Sequence, residues 1–262
     1  MSSHAFRWVY DHSSCEALNR YLYVQDVWWL SDSLNAEHAI AAAALAGYFR
    51  ELSKVECGFD YDGAFESMGG AATPVLKELQ SFFLALHSCL DITTKLLHAL
   101  AKMPDNFDSV PSNIGGKELF RKAQAKRSQT AAEGGLFEKC WETTYLEGLR
   151  DEIIHNRALD AAGVVFDLRD NGRVTERFVL LPDADERGMT RGWKNRRRLC
   201  SLGLKANELA PHLFKQISER ILKGLDAAIR GISCDTALEL DVESARSAVE
   251  DVTAAYLRCA KG

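Results

Sequence analysis

The sequence predicts a mainly α fold: a helical bundle with one inserted β-hairpin. Three observations predict it. Apolar residues recur at helical spacing through several long stretches. Only five prolines interrupt the 262 residues, which leaves room for long helices. The helical period gives way clearly to alternation once, on either side of Asn171-Gly172.

Taken in order, residues 6–30 are dense in aromatics (Phe6, Trp8, Tyr10, Tyr21, Tyr23, Trp28, Trp29), which predicts packing onto the body of the fold or onto a partner. Residues 35–56 predict a helix, with Asn35 as cap and an alanine run of high helix propensity. Gly58 to Gly70, rich in Gly and Asp, reads as a break. The best-defined helix spans Thr73 to Lys102. Thr73-Pro74 supplies a cap and a first-turn proline, and Leu76, Leu79, Phe83, Leu86, Leu90 and Leu97 form its apolar stripe. Beside that stripe, His87, Asp91, Thr94 and His98 share a polar edge, expected to be solvated or at an interface. Three ligands on one helix span too far for one metal ion.

Residues 103–118 read as a loop. Its Gly115-Gly116-Lys117 lacks the spacing and the preceding strand of a phosphate loop. Lys117 to Arg127 predicts a short basic helix, and Gly134-Gly135 breaks the chain before a helix that begins near Trp141. The hairpin follows at about 163–182, ended by Pro182. Two more helices are expected, from about Ala206 to Gly231 and from about Asp241 to Cys259. The stripe of the first is Leu209, Leu213, Ile217, Ile221 and Leu225. No linker compels a division, so the chain reads as a single domain over 1–262, with a bundle core at about 70–160 and C-terminal helices at about 206–260.

A net charge of −5 gives no global signature of a nucleic-acid binder, so any basic surface must be local. The most basic stretch is local: Arg187, Arg191, Lys194, Arg196, Arg197 and Arg198, with Trp193 among them. It reads either as a solvated loop or as a phosphate-contacting patch in which Trp193 offers a stacking face for a base. Seven dispersed cysteines (Cys15, Cys57, Cys89, Cys140, Cys200, Cys234, Cys259) form no zinc pattern and suit a reducing compartment. The N-terminus lacks the basic-then-apolar pattern of a signal peptide, and the alanine-rich run Ala36–Phe49 is too short to span a bilayer. The expectation is a cytoplasmic protein with no membrane association, no metal and no cofactor.

The stretch with chemical content closes the helix from Trp141. Trp141, Tyr145, Leu149 and Ile153 recur every four residues as one apolar stripe. Against it the helix carries Arg150, Asp151 directly after it, and His155. A second arginine–histidine pair at this spacing, Arg7 and His12, has Trp8 after the arginine and sits near a terminus. Histidine suits proton transfer near neutral pH, and the arginine guanidinium grips two phosphate oxygens while staying charged. Asp151 is placed to orient Arg150 or a partner residue, and Asn156 to hydrogen-bond substrate or backbone.

Arg150-Asp151-Glu152-Ile153-Ile154-His155 resembles the R-polar-x-x-x-H form of the Rx4–6H motif of HEPN domains. A long amphipathic helix at 73–102 preceding the motif helix is similar to their four-helix layout, over roughly residues 70–160. The resemblance implies an all-α domain of the prokaryotic defence and toxin–antitoxin type, acting as a metal-independent endoribonuclease on RNA. It implies Arg150 and His155 as catalytic residues, with Asp151 and Asn156 beside them, in a composite active site at a homodimer interface. A cognate antitoxin or defence partner is implied as well. Some HEPN toxins carry a tyrosine two positions after the histidine, modified by a partner nucleotidyltransferase; Arg157 stands there in this sequence, so that regulation is not expected. Two alternatives stay open: a catalytically inactive HEPN-like dimeric scaffold that binds nucleic acid or protein, and an unrelated helical protein in which Arg150 and His155 are structural.

Geometry adds a reason for a dimer. Five residues along a helix give roughly 7.5 Å of rise and about 140° of rotation, so one Arg/His pair does not converge on one phosphate. Two such helices antiparallel across a twofold axis bring both pairs into one cleft.

Overall fold

The computed structural model describes residues 16–56, 59–61, 64–68, 72–101, 140–156, 164–190 and 200–231, together with 250 and 254. The fold is mainly helical with an antiparallel β-hairpin inserted between helices, as the periodicity predicts. Among the described residues the elements run α1 (Glu16–Leu52), β1 (Phe59–Tyr61), β2 (Ala64–Met68), α2 (Thr73–Ala101), α3 (Trp141–Asn156), β3 (Val164–Asp170), β4 (Arg173–Val179) and α4 (Ala206–Gly231). The expected basic helix at 117–127 and nearly all of the final helix lie outside the described residues.

Helices α2 and α4 begin and end where the caps and stripes place them. In α2, Leu79, Phe83, Leu86 and Leu90 are buried; in α4, Leu213, Ile217 and Ile221 are. Helix α1 starts much earlier than Asn35, because the aromatic stretch before it is itself helical from Glu16. Of its aromatics, Tyr23 is buried and its hydroxyl donates to the Ala99 carbonyl at 2.8 Å, whereas Trp28 and Trp29 are exposed.

The expected hairpin is β3–β4. Asn171 and Gly172 both adopt positive φ (50° and 77°), the geometry a two-residue turn needs to match strand twist. A register shift at Leu168/Arg169 marks an irregularity in the ladder. The segment Gly58–Gly70, expected to be a break, instead carries β1 and β2. They pair antiparallel with each other, and β2 pairs with β3 from Ala64↔Leu168 to Met68↔Val164, giving a four-stranded sheet in the order β1-β2-β3-β4. Two strands of three and five residues carry too little alternation to read locally. The partner of β2, strand β3, lies far along the chain, and β1 is defined by its pairing with β2.

Contacts gather the described residues into two units. One holds α1 as far as Ser33, α2 from Ile92 and α4 from Gly224. The other holds the remainder of those helices with the sheet, α3 and the loops around it. In this second unit, α1 and α4 meet through His38, whose Nε2 lies 2.9 Å from Ser218 Oγ and whose ring sits 4.9 Å from that of Phe214. A polar chain ties the sheet to both helices. Tyr48 Oη donates to Asn207 Oδ1 at 2.6 Å, Asn207 Nδ2 donates to the Arg177 carbonyl, and Arg177 Nη1 donates to the Ser53 carbonyl at 2.9 Å. Arg177 Nε also donates to Asp167, which is fully buried on β3, at 2.8 Å, so the charge taken out of water is paired.

The polar edge of α2 is less open than its sequence suggests. His87 is buried with its Nδ1 3.5 Å from Asp91 Oδ2, and Thr94 is buried as well. The edge packs instead of facing water.

Candidate functional site: helix α3 and the loop docked on it

Helix α3 starts at Cys140, which acts as a cap. Its backbone N–H donates to Thr143 Oγ1 at 3.3 Å, and its carbonyl accepts the first helical bond, from Thr144 N–H, at 3.1 Å. Glu142 lies in the first turn and His155 in the last, each at the helix end whose partial charge it complements. Burial pushes the Glu142 carboxyl up. Its own backbone N–H, the Cys140 thiol and His212, 3.3 Å away, outweigh that and hold it below its ordinary range.

The expected apolar stripe is present. Tyr145, Leu149 and Ile153 are buried, together with Leu146, and Trp141 stacks on Tyr145 with ring centroids 4.7 Å apart. The opposite face carries Glu147, Arg150, Asp151, Ile154 and His155, at spacings of three and four that place them on one side of the helix. Glu147, Ile154 and His155 are exposed, and Arg150 and Asp151 are partly so. Ile154 is 47% exposed, at the centre of this polar face.

Arg150 Nη1 donates to Asp151 Oδ1 at 2.6 Å, so Asp151 orients Arg150, one of the two roles its position suggests. The direction of that pull matters. Around the helix axis Asp151 stands about 100° from Arg150, and His155 only about 40° beyond it. The ion pair therefore draws the guanidinium toward the flank that carries His155, offsetting part of the 140° separation of the two backbones. Asn156 closes the helix, and its side chain lies outside what is described.

The loop 181–190 is fastened along α3. Tyr145 Oη donates to the Pro182 carbonyl at 2.6 Å, and Trp141 Nε1 donates to the Asp185 carbonyl at 3.1 Å. Gly188, at φ 83°, approaches so closely that a Cβ there would collide with the Trp141 carbonyl oxygen. Thr190 sits against Gly148, where an added Cβ would lie 3.2 Å from its Cγ2. On the far side of the basic stretch, buried Asp183 accepts from Ser201 N–H at 2.9 Å, Ser201 Oγ at 2.6 Å and Leu202 N–H at 2.8 Å. Of the expected RNA-binding residues, Arg191, Trp193, Lys194, Arg196, Arg197 and Arg198 lie outside the described residues. Their flanks do not. Thr190 rests on Gly148, which shares the His155 side of α3 two turns earlier, and Ser201 is held by the loop bound to Tyr145.

No protein-family model, curated protein or solved structure matches the chain.

The helical stripe includes Ile153 but assigns no role to Ile154, which the structure leaves exposed. The spacing to Glu147, Arg150 and Asp151 carries the signal. Sequence reasoning also missed the docking of the 181–190 loop, for which Gly188 and Gly148 are visible only as isolated glycines. Among the described residues no cluster of three His, Cys, Asp or Glu side chains has the geometry to hold a metal ion, and no helix is long and apolar enough to cross a membrane.

Proposed function

We propose that the protein is a metal-independent endoribonuclease of the HEPN type, acting as a homodimer through a composite site, in phage defence or a toxin–antitoxin setting. The observation that carries this reading is the face of α3. A helix whose opposite face is buried presents Arg150, held by Asp151 at 2.6 Å, and His155 on one side.

The reaction that fits is transesterification of RNA. One histidine takes the proton of a 2′-hydroxyl, the 2′-oxygen attacks the adjacent phosphorus, and the bond from phosphorus to the 5′-oxygen breaks. A second proton donor, the histidine of the other copy, protonates the departing 5′-oxygen, leaving a 2′,3′-cyclic phosphate and a 5′-hydroxyl. Arg150 neutralises the phosphorane oxygens as charge builds on them. Asp151 fixes the guanidinium, and Asn156 is assigned a hydrogen bond to substrate or backbone. The run Arg191, Trp193, Lys194, Arg196, Arg197 and Arg198 is assigned the RNA-holding surface. Supporting this, its two flanks are anchored to the α3 helix and its loop.

The test is incubation of purified protein with total RNA in EDTA, beside His155→Ala. Cleavage leaving 2′,3′-cyclic ends, lost in the variant, is the expected result. A folded, dimeric wild type that cuts nothing would leave the inactive RNA- or protein-binding scaffold as the better reading.

A further inference from the structure

We infer that the turn 185–190, seated on α3, is a binding subsite for a single strand of RNA. In it Arg187 takes a backbone phosphate and Met189 packs on a base, along the flank of α3 that leads to His155. The inference deepens the reading of α3 as an RNA-cleaving face and rests on it for the class of ligand.

Hydrogen bonds close the turn on itself. Asp185 Oδ1 accepts from the N–H groups of Arg187 and Met189, both at 2.9 Å. The Asp185 N–H donates to the Met189 carbonyl and the Gly188 N–H to the Asp185 carbonyl, each at 3.0 Å. At the base of the turn, Thr190 pairs antiparallel with Ala184. Helix α3 grips it from one side: Trp141 Nε1 donates to the Asp185 carbonyl, Gly188 abuts the Trp141 carbonyl and Thr190 abuts Gly148. The side chains that this turn leaves in water are therefore presented from a fixed backbone, and a ligand that binds them has little ordering to impose.

Two of those side chains suit a nucleic-acid strand. Arg187 is exposed, and no ion pair among the described residues occupies its guanidinium, so its charge remains for a phosphate. Met189 is 57% exposed, an unbranched apolar side chain whose sulfur makes favourable contacts with aromatic rings. Glu186, exposed on the same tip, works against an anion.

Position joins the turn to the candidate site. The chain passes the Trp141 carbonyl at Gly188 and Gly148 at Thr190, so it runs in the direction of α3, toward Asp151 and His155. Around the helix axis Gly148 lies only about 20° from His155 and about 60° from Asp151, at about 10 Å and about 4.5 Å along it. A strand with its reacting phosphate at Arg150 and His155, lying back along this flank toward the start of the helix, meets Thr190, then Met189, then Arg187. Trp141 stands about 21 Å from His155 along the helix, so these contacts reward an extended single strand and not a dinucleotide.

The test is fluorescence anisotropy of a labelled oligouridylate, with His155→Ala as the parent protein so that the strand stays intact. Arg187→Ala in this parent should weaken binding about tenfold and reduce the slope of log affinity on log salt by about 0.7, the share of one single-strand phosphate. Met189→Ala should weaken it about threefold with the slope unchanged, and should not alter the binding of an abasic strand of the same length. Glu186→Gln should tighten binding, and Lys223→Ala, at an exposed cation on α4, should leave it unchanged. Parental affinity in Arg187→Ala or Met189→Ala would overturn the subsite and leave the cleavage reading standing. So would a loss in Lys223→Ala equal to that in Arg187→Ala, since net charge alone would then explain both. A parent that binds no RNA would overturn the subsite outright. The expected losses, in a protein whose wild type never cuts RNA, would leave the subsite standing and remove only the nuclease reading.

Discussion

Replacing Gly188 with alanine should destabilise the protein by about 2–4 kcal/mol. The magnitude follows from three contributions. At φ 83° an alanine pays roughly 1–2 kcal/mol for the left-handed conformation. Its Cβ would also stand 3.1 Å from Trp141 Cα and closer still to the Trp141 carbonyl oxygen, neither of which can swing aside as a flexible side chain would. The loop must then withdraw from α3, which loosens the bond from Trp141 Nε1 to the Asp185 carbonyl, worth about 0.5–1.5 kcal/mol net. The same substitution at Gly203, φ 68° with nothing within 4 Å, isolates the conformational term and should cost only about 1–2 kcal/mol. Urea unfolding followed by tryptophan fluorescence and far-UV dichroism measures both. If Gly188→Ala costs no more than Gly203→Ala, the 181–190 loop is not seated on α3 as described.

Replacing Asp167, fully buried on β3, with asparagine should cost about 1–3 kcal/mol in the same unfolding assay, because the Arg177 Nε–H loses its charged acceptor while Arg177 Nη1 keeps the Ser53 carbonyl. Arg150→Ala and His155→Ala, at accessible positions, should each stay within about 0.5 kcal/mol of wild-type stability while abolishing RNA cleavage; a large loss of stability would instead mark these side chains as structural. Burial pushes the Cys89 thiol up to about 12 from an ordinary 9.0. Its contribution to stability is therefore complete below about pH 9 and lost as pH rises toward 12, since only the unfolded state releases the proton in that window. The same thiol should resist a disulfide reagent at pH 8 until the protein unfolds. Glu142 works in the opposite sense. With its carboxyl held below the ordinary 4.5, it contributes stability above that value and loses it as pH falls further, and Glu142→Gln should flatten the acid limb of the unfolding profile.

Several features were legible in the sequence because their causes are local. The stripes of α2, α3 and α4 follow from helical period, and Thr73-Pro74 fixes where α2 begins. Asn171-Gly172 determines its own turn, because few other pairs accept two positive φ values. The arginine–histidine spacing and the aspartate after the arginine were visible as well, and adjacency alone permits the bond from Arg150 to Asp151. Tertiary structure decided the rest, for reasons that no window of neighbouring residues contains. Strand β2 exists through pairing with β3, far along the chain, and β1 through pairing with β2 in turn. His87 and Thr94 look like a wet edge on a helical wheel, yet packing buries them. Ile153 and Ile154 are the same residue type side by side; only the 100° turn between them, set against what α3 packs on, makes one core and the other surface. The seating of Gly188 on Trp141 and Thr190 on Gly148, which fastens the 181–190 loop to α3, depends on where the chain returns after the hairpin. That is a matter of long-range packing, and the sequence by itself does not specify it.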